Sequence, residues 1–161
     1  MFLFGSALLF VVSVICQAPL LPERVAVHFN LAGQPNGWMT RGQHLWMILL
    51  LGFGLPALVI GLCYCTRWFP PSMLNAPNAA YWRSPDRYPK ARQILMRWAY
   101  GFGAISLQWV AALNHQVVEA NRVDPPFLDP VPILVLTGLF LAATGVSITL
   151  LLIRFMKVKP A

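Results

Sequence analysis

Leu45-Trp46-Met47-Ile48-Leu49-Leu50-Leu51-Gly52-Phe53-Gly54-Leu55-Pro56-Ala57-Leu58-Val59-Ile60-Gly61-Leu62-Cys63-Tyr64-Cys65 runs for 21 residues without an Asp, Glu, Lys or Arg. A helix that crosses a hydrocarbon layer needs about 20 mostly apolar residues. The stretch therefore reads as a membrane span, with Pro56 as its expected kink. Three more stretches of the same kind lie around it: Phe2 to Ala18, closed by Pro19 and Pro22, then Ile94 to Val118, and Val131 to Phe155. The fold class expected is an all-α integral membrane protein, a bundle of four transmembrane helices at 2–18, 45–65, 94–118 and 131–155. A single membrane domain covers 1–161, with a short extended outer loop at 19–44 and an amphipathic cytoplasmic loop at 66–93.

Composition supports this reading. Of 161 residues 58% are hydrophobic and only 11% charged, where a soluble domain carries about 25% charged. A soluble fold of this size leaves roughly a third of its unfolded surface in water, too much for this composition. A soluble enzyme, a disordered chain and a free nucleic-acid binder are excluded. The first stretch has no basic segment before it and no Ala-x-Ala site, so it reads as an uncleaved anchor rather than a signal peptide. Cys16, Cys63 and Cys65 all fall in apolar runs, and Cys63-Tyr64-Cys65 is neither a zinc nor a thioredoxin spacing. They are expected to be buried small apolar residues.

Charge sets the expected direction. Arg67, Arg83, Arg87, Lys90, Arg92 and Arg97, with Arg154, Lys157 and Lys159 in the tail, oppose a single acid, Asp86. On the other side Arg24, Arg41 and Arg122 stand with Glu23, Glu119, Asp124 and Asp129. The positive-inside rule then places both termini and the 66–93 loop in the cytoplasm. The loops at 19–44 and 119–130 face outward.

Two helix faces stand out. Gly138, Ala142, Gly145 and Thr149 form one narrow stripe of small residues, expected to pack against another helix. Arg97, Gln108, His115, Glu119 and Arg122 lie on one face of the third span, with Gly101, Ala104 and Ala111 between them. Gln108 is near mid-membrane, where an unpaired amide costs several kcal/mol. It is therefore expected to face a partner in this bundle or another subunit, as hydrogen-bonded glue or as part of a polar path.

The outer loop carries the most character. Val25, Val27 and Phe29 alternate with Arg24, Ala26 and His28, as in a short strand. Gly33 to Gly37 supplies turn residues, with Asn36-Gly37 the strongest turn pair, and Trp38 is placed to anchor at headgroup level. This stretch resembles a bacterial domain family of unknown function. That domain also forms the N-terminal part of the immunity proteins that protect sporulating bacteria from their own killing factor. The family pattern is carried here by Leu21, Pro22, His28, Phe29, Asn30, Gly33, Asn36, Gly37 and Trp38, followed by the second span. Many members have Pro at the position of Ala26 and Asp at that of Asn36, and the immunity proteins carry a second membrane domain that this sequence does not show. Asn75, Pro77, Asn78, Tyr81 and Trp82, together with Leu113-Asn114-His115 and Ala120-Asn121, are similar to stretches in four-span relatives.

In the 66–93 loop, Trp68, Phe69, Tyr81, Trp82 and Tyr88 are interleaved with Arg83, Arg87, Lys90 and Arg92. That mixture suits the inner membrane face, with aromatic rings at headgroup level and cations on anionic lipid. Ser84-Pro85 is the expected start of the third helix. His28, His44, His115 and Glu119 all fall on the outer side, and their convergence would suit Zn²⁺ or Cu²⁺. His115 and Glu119 share a helix face by their spacing, but nothing in the sequence shows that all four converge, and neither metal nor cofactor is expected. No Ser-His-Asp set, phosphate loop or paired intramembrane carboxylates occur, so no enzyme activity is expected. The expected function is a binding or sensing module that uses the outer loop on an extracytoplasmic peptide, as the immunity resemblance implies. The alternative is a structural accessory subunit of a larger membrane complex. The partners expected are the lipid bilayer and either another membrane protein or a second copy, and no nucleic acid.

Overall fold

In the computed structural model, which describes residues 2–158, helices dominate and one β-hairpin caps an end of the bundle. Helix α1 (Phe2–Gln17) passes through a 3-10 turn at Ala18–Leu20 into strands β1 (Arg24–Phe29) and β2 (Pro35–Thr40). Then follow α2 (Arg41–Cys65), the one-turn α3 (Ala79–Trp82), α4 (Tyr88–Ala120) and α5 (Pro130–Met156). Three helical segments are long and apolar enough to cross a membrane: Phe2–Leu20, Arg41–Trp68 and Pro130–Met156. These are the marks of a membrane protein. The expected third span is a helix of 33 residues, but it does not join that set, because Arg97, Gln108, Asn114 and His115 interrupt its apolar run.

The helix with the weakest apolar character is the central one, packed against α1, α2 and α5. Its inward face is built from small residues. Ala99, Gly103, Ser106, Val110, Asn114 and Val118 recur at helical spacing and are all buried. Small side chains let backbones approach, and van der Waals packing is what holds helices together in lipid. Gly103 receives α2 at its buried Pro56: a Cβ on Gly103 would stand 3.2 Å from Pro56 Cβ. Gly52 likewise receives the Phe10 ring, and a Cβ there would stand 2.6 Å from Phe10 Cε1. Phe10, Val14, Ile48, Leu107 and Val110 form the core where α1, α2 and α4 meet.

This arrangement reverses the expected polar face. Arg97, Gln108, His115, Glu119 and Arg122 lie on the exposed side of α4, because the small-residue face is the one that fits the neighbours. Gln108 still finds a partner, its Nε2 donating to the Ser6 carbonyl of α1 at 3.1 Å. The stripe on α5 is also turned outward. Gly138, Ala142, Gly145 and Thr149 are exposed, and a Cβ on either glycine would meet open space. Helix α5 instead meets α4 through Phe140, which stacks on Trp109 at 4.4 Å, and Ser147, which accepts from Trp98 Nε1 at 3.2 Å. Cys16 is exposed, and Cys63 and Cys65 are half-buried.

The 66–93 segment is held by caps rather than spread as a surface layer. Trp82 is buried, its indole edge on Phe155 and its Nε1 donating to the Phe155 carbonyl at 2.8 Å. Asn78, in the left-handed region at φ 55°, donates its amide to the Met156 carbonyl at 3.0 Å. These bonds satisfy carbonyls that the C-terminus of α5 leaves orphaned. Tyr88 does the same for α2, donating its hydroxyl to the Thr66 carbonyl at 3.0 Å. Helix α4 starts at Tyr88 rather than at Ser84, because Ser84 closes a turn in which its carbonyl accepts from Arg87 and Tyr88 N–H. Lys159, one of the basic tail residues, lies outside the described residues.

Candidate functional site

The hairpin is the part of the chain that sequence and structure both single out. Strands β1 and β2 pair antiparallel, with Arg24 opposite Thr40, Ala26 opposite Trp38 and His28 opposite Gly37. The turn lies at Asn30–Gln34, not at Asn36-Gly37. Asn30 Oδ1 accepts from Ala32 N and Gln34 N, both at 2.9 Å, and Gly33 takes φ 77°. This polar side chain, followed by a left-handed glycine, closes the turn locally and leaves Asn36 and Gly37 within β2.

The motif residues thus divide into two groups. Asn30, Gly33 and Gly37 shape the hairpin. A Cβ on Gly37 would stand 2.6 Å from His28 Cβ, and one on Gly33 would stand 2.7 Å from Phe127 Cε2. Gly33 also accepts a hydrogen bond from Leu128 N at 3.0 Å, which ties the turn to the segment entering α5. His28, Asn36 and Trp38 are exposed, Phe29 is half-buried, and Leu31 at the tip is 97% exposed. Arg24 lies over the Trp38 ring at 4.9 Å, so a cation and an indole share one surface.

The hairpin is held to the bundle by a side chain 95 positions away from Ala26 of β1. Asn121, just past α4, offers its side-chain amide to β1 as a neighbouring strand would. Its Oδ1 accepts from Ala26 N at 2.8 Å and its Nδ2 donates to the Ala26 carbonyl at 2.9 Å. Below, Leu21, Val25 and Val118 close a second apolar cluster. Substituting Asn121 by alanine removes both bonds and should free the hairpin locally, at about 1–2 kcal/mol. Hydrogen exchange would read this as lost protection at Ala26 with unchanged protection at Ile48 in α2. Equal loss at both positions would mean global unfolding and refute a local tether.

Under the hairpin lies a buried polar chain. Strand β2 passes into α2 without a linker, through a capping box in which Gln43 N donates to Thr40 Oγ1 and Thr40 N donates to Gln43 Oε1. One turn in, His44 is fully buried. Its Nε2 lies 2.9 Å from Asn114 Oδ1 on α4. Asn114 Nδ2 donates to Gln17 Oε1 on α1 at 2.9 Å, and Gln17 Nε2 donates to Ser13 Oγ at 2.8 Å. Four side chains therefore join α1, α2 and α4 at the hairpin end. With Asn114 Oδ1 as acceptor, the His44 proton sits on Nε2 and Nδ1 bears the lone pair. Nδ1 has no partner among the described residues.

The suggested convergence of His28, His44, His115 and Glu119 does not form. His44 faces inward to Asn114, whereas His28, His115 and Glu119 are exposed, and Glu119 pairs with Arg122 at 2.9 Å. Among the described residues no three His, Cys, Asp or Glu side chains are grouped to hold a metal ion. Asn114 and Asn121, seven residues apart, were legible only as part of a resemblance. The signal that could have found them is their position on the Ala99–Gly103–Ser106–Val110 face.

The fold and the site together define a mostly helical membrane protein whose first two long helices are joined by a docked β-hairpin. Residues 5–59, roughly a third of the chain, match the model of a family described as Domain of unknown function (DUF1648). The match covers most of α1, the hairpin and much of α2, and for that segment it supports a domain family of unknown function, as drawn from Leu21 to Trp38. No curated protein and no solved structure matches the chain.

Proposed function

We propose that this is a non-enzymatic binding or sensing protein of the bacterial inner membrane, and that its hairpin recognises an extracytoplasmic peptide. In this reading α1, α2, α4 and α5 all cross the bilayer, with both termini and the 66–93 loop in the cytoplasm. The likeness to the N-terminal domain of toxin-immunity proteins supports a peptide as the ligand. One observation carries the proposal: the hairpin is fastened to the bundle by Asn121 while Leu31, Trp38 and His28 are exposed. A preorganised platform loses little entropy on binding. Among the described residues β2 pairs with β1 alone, which leaves its second edge for an added strand.

A second reading, an accessory subunit of a larger membrane complex, is favoured by the outward stripe of Gly138, Ala142 and Gly145. Purification of the full chain in mild detergent, with mass spectrometry of what co-elutes, separates the two. Binding through the hairpin predicts a peptide that is lost from His28→Ala and Trp38→Ala variants whose helix content is unchanged. A stoichiometric larger membrane protein, lost instead from Gly145→Leu, would replace the first reading with the second.

A further inference from the structure

Toward the end of the molecule opposite the hairpin, α4 and α5 flank a groove of about 450 Å³. Its walls are apolar, with Trp98, Phe102, Ile105 and Leu150 among them, and Arg97 and Arg154 also line it. The two helices are antiparallel, since Trp98 meets Ser147 and, farther along, Trp109 meets Phe140. By that register Arg154 lies on the order of 9 Å nearer the end of the bundle than Arg97. Each Cα–Cβ bond tilts toward the N-terminus of its own helix. Arg97 therefore leaves α4 leaning toward the bundle end and Arg154 leaves α5 leaning back from it, so the two approach each other along the groove. Neither has a hydrogen-bonded or ion-paired partner among the described residues, where the ion pair present is Arg122 with Glu119.

A cation on the flank of an apolar helix is costly unless something pairs with it. An amphiphile with an anionic head and an apolar tail matches both parts of the groove at once. We infer that the α4–α5 groove is a binding site for one anionic phospholipid, its phosphate held by Arg97 and Arg154 and an acyl chain laid against Trp98, Phe102 and Leu150. The site is separate from the hairpin and does not depend on what the hairpin binds.

The test uses the full chain in mild detergent, titrated with phosphatidylglycerol or phosphatidylcholine of identical acyl chains and read by native mass spectrometry. Two arginines at roughly 1 kcal/mol each should favour phosphatidylglycerol by at least about tenfold, as a single adduct. Arg97→Gln/Arg154→Gln should erase the preference, whereas Arg41→Gln/Arg122→Gln, an equal loss of charge at the hairpin end, should keep it. Equal retention of the two lipids overturns the site, as does equal loss in both double variants. Displacement of the lipid by inorganic phosphate would assign the arginines to a free anion instead and overturn a lipid as the occupant. A measurement on the unmodified chain guards against a variant that fails to fold. Phosphatidylglycerol with a photoreactive acyl chain should label peptides containing Ile105 or Leu150, and labelling confined to other segments refutes the assignment.

Discussion

Replacing Asn114 with alanine is expected to destabilise the folded chain by about 2–3 kcal/mol, because it strands two buried partners at once. His44 loses the acceptor for its Nε2 proton and is left with both ring nitrogens unpaired. Gln17 loses the donor to its carbonyl oxygen. The cost comes from the groups left behind rather than from the bonds themselves, and that makes a specific comparison possible. Asn114→Leu combined with His44→Leu removes both sides of the His44–Asn114 contact and should be less destabilised than the sum of the single variants by about 1 kcal/mol. Thermal unfolding of the purified variants in one detergent checks both statements. Strict additivity would mean that His44 and Asn114 do not interact, and that no hydrogen bond between them ties α2 to α4 at this end.

Gly52→Val should disrupt the opposite kind of contact at comparable cost, about 2–3 kcal/mol, through overpacking. Gly52 is buried on α2 with the Phe10 ring laid across it, and Phe10 is itself at the centre of the α1–α2–α4 core. A Cβ on Gly52 would overlap that ring, which is fully buried. Phe10→Ala alone should cost about 3–5 kcal/mol by leaving a cavity. In the double variant the valine occupies part of that cavity, so the combination should be more stable than the sum by at least about 1 kcal/mol. Gly145→Val is the control: its Cβ meets open space, and a change within about 0.5 kcal/mol is expected. The same thermal measurement decides the outcome. A neutral Gly52→Val would show that α1 and α2 are not in contact at this level.

These two sites show how far the sequence could be read. The apolar runs located the helices because length and hydropathy depend on each segment alone. Thus α1 ends within a residue of its expected limit and α2 at Cys65 as expected, while Pro130–Met156 brackets the 131–155 run. The hairpin motif was legible because turns are local: Asn30 and Gly33 close theirs with their own backbone. Asn36-Gly37 misled because an equally local signal, beginning at Asn30 six residues earlier, matched the register with β1. The start of α4 moved from Ser84 to Tyr88 for a similar reason, since Ser84 was recruited to a turn.

Which face of each helix turns inward could not be read in that way. Both the polar and the small-residue face of α4 have helical periodicity, and in lipid polarity does not by itself decide burial. The choice falls to the face that lets Pro56, Phe10 and their neighbours come close. The same competition left the small stripe of α5 outside, because Phe140 and Ser147 on another face found Trp109 and Trp98.

By itself the sequence determined a membrane protein, the position of its helices, and a hairpin family motif between the first two, because each is written in consecutive residues. Tertiary structure alone decided that Asn121 acts as a strand for β1, that Ser13, Gln17, His44 and Asn114 form one chain, and that Trp82 closes the end of α5. Most of those contacts join residues 70 or more positions apart. Hydrogen bonds of that kind are selected by the packing of whole helices, and no local pattern encodes them.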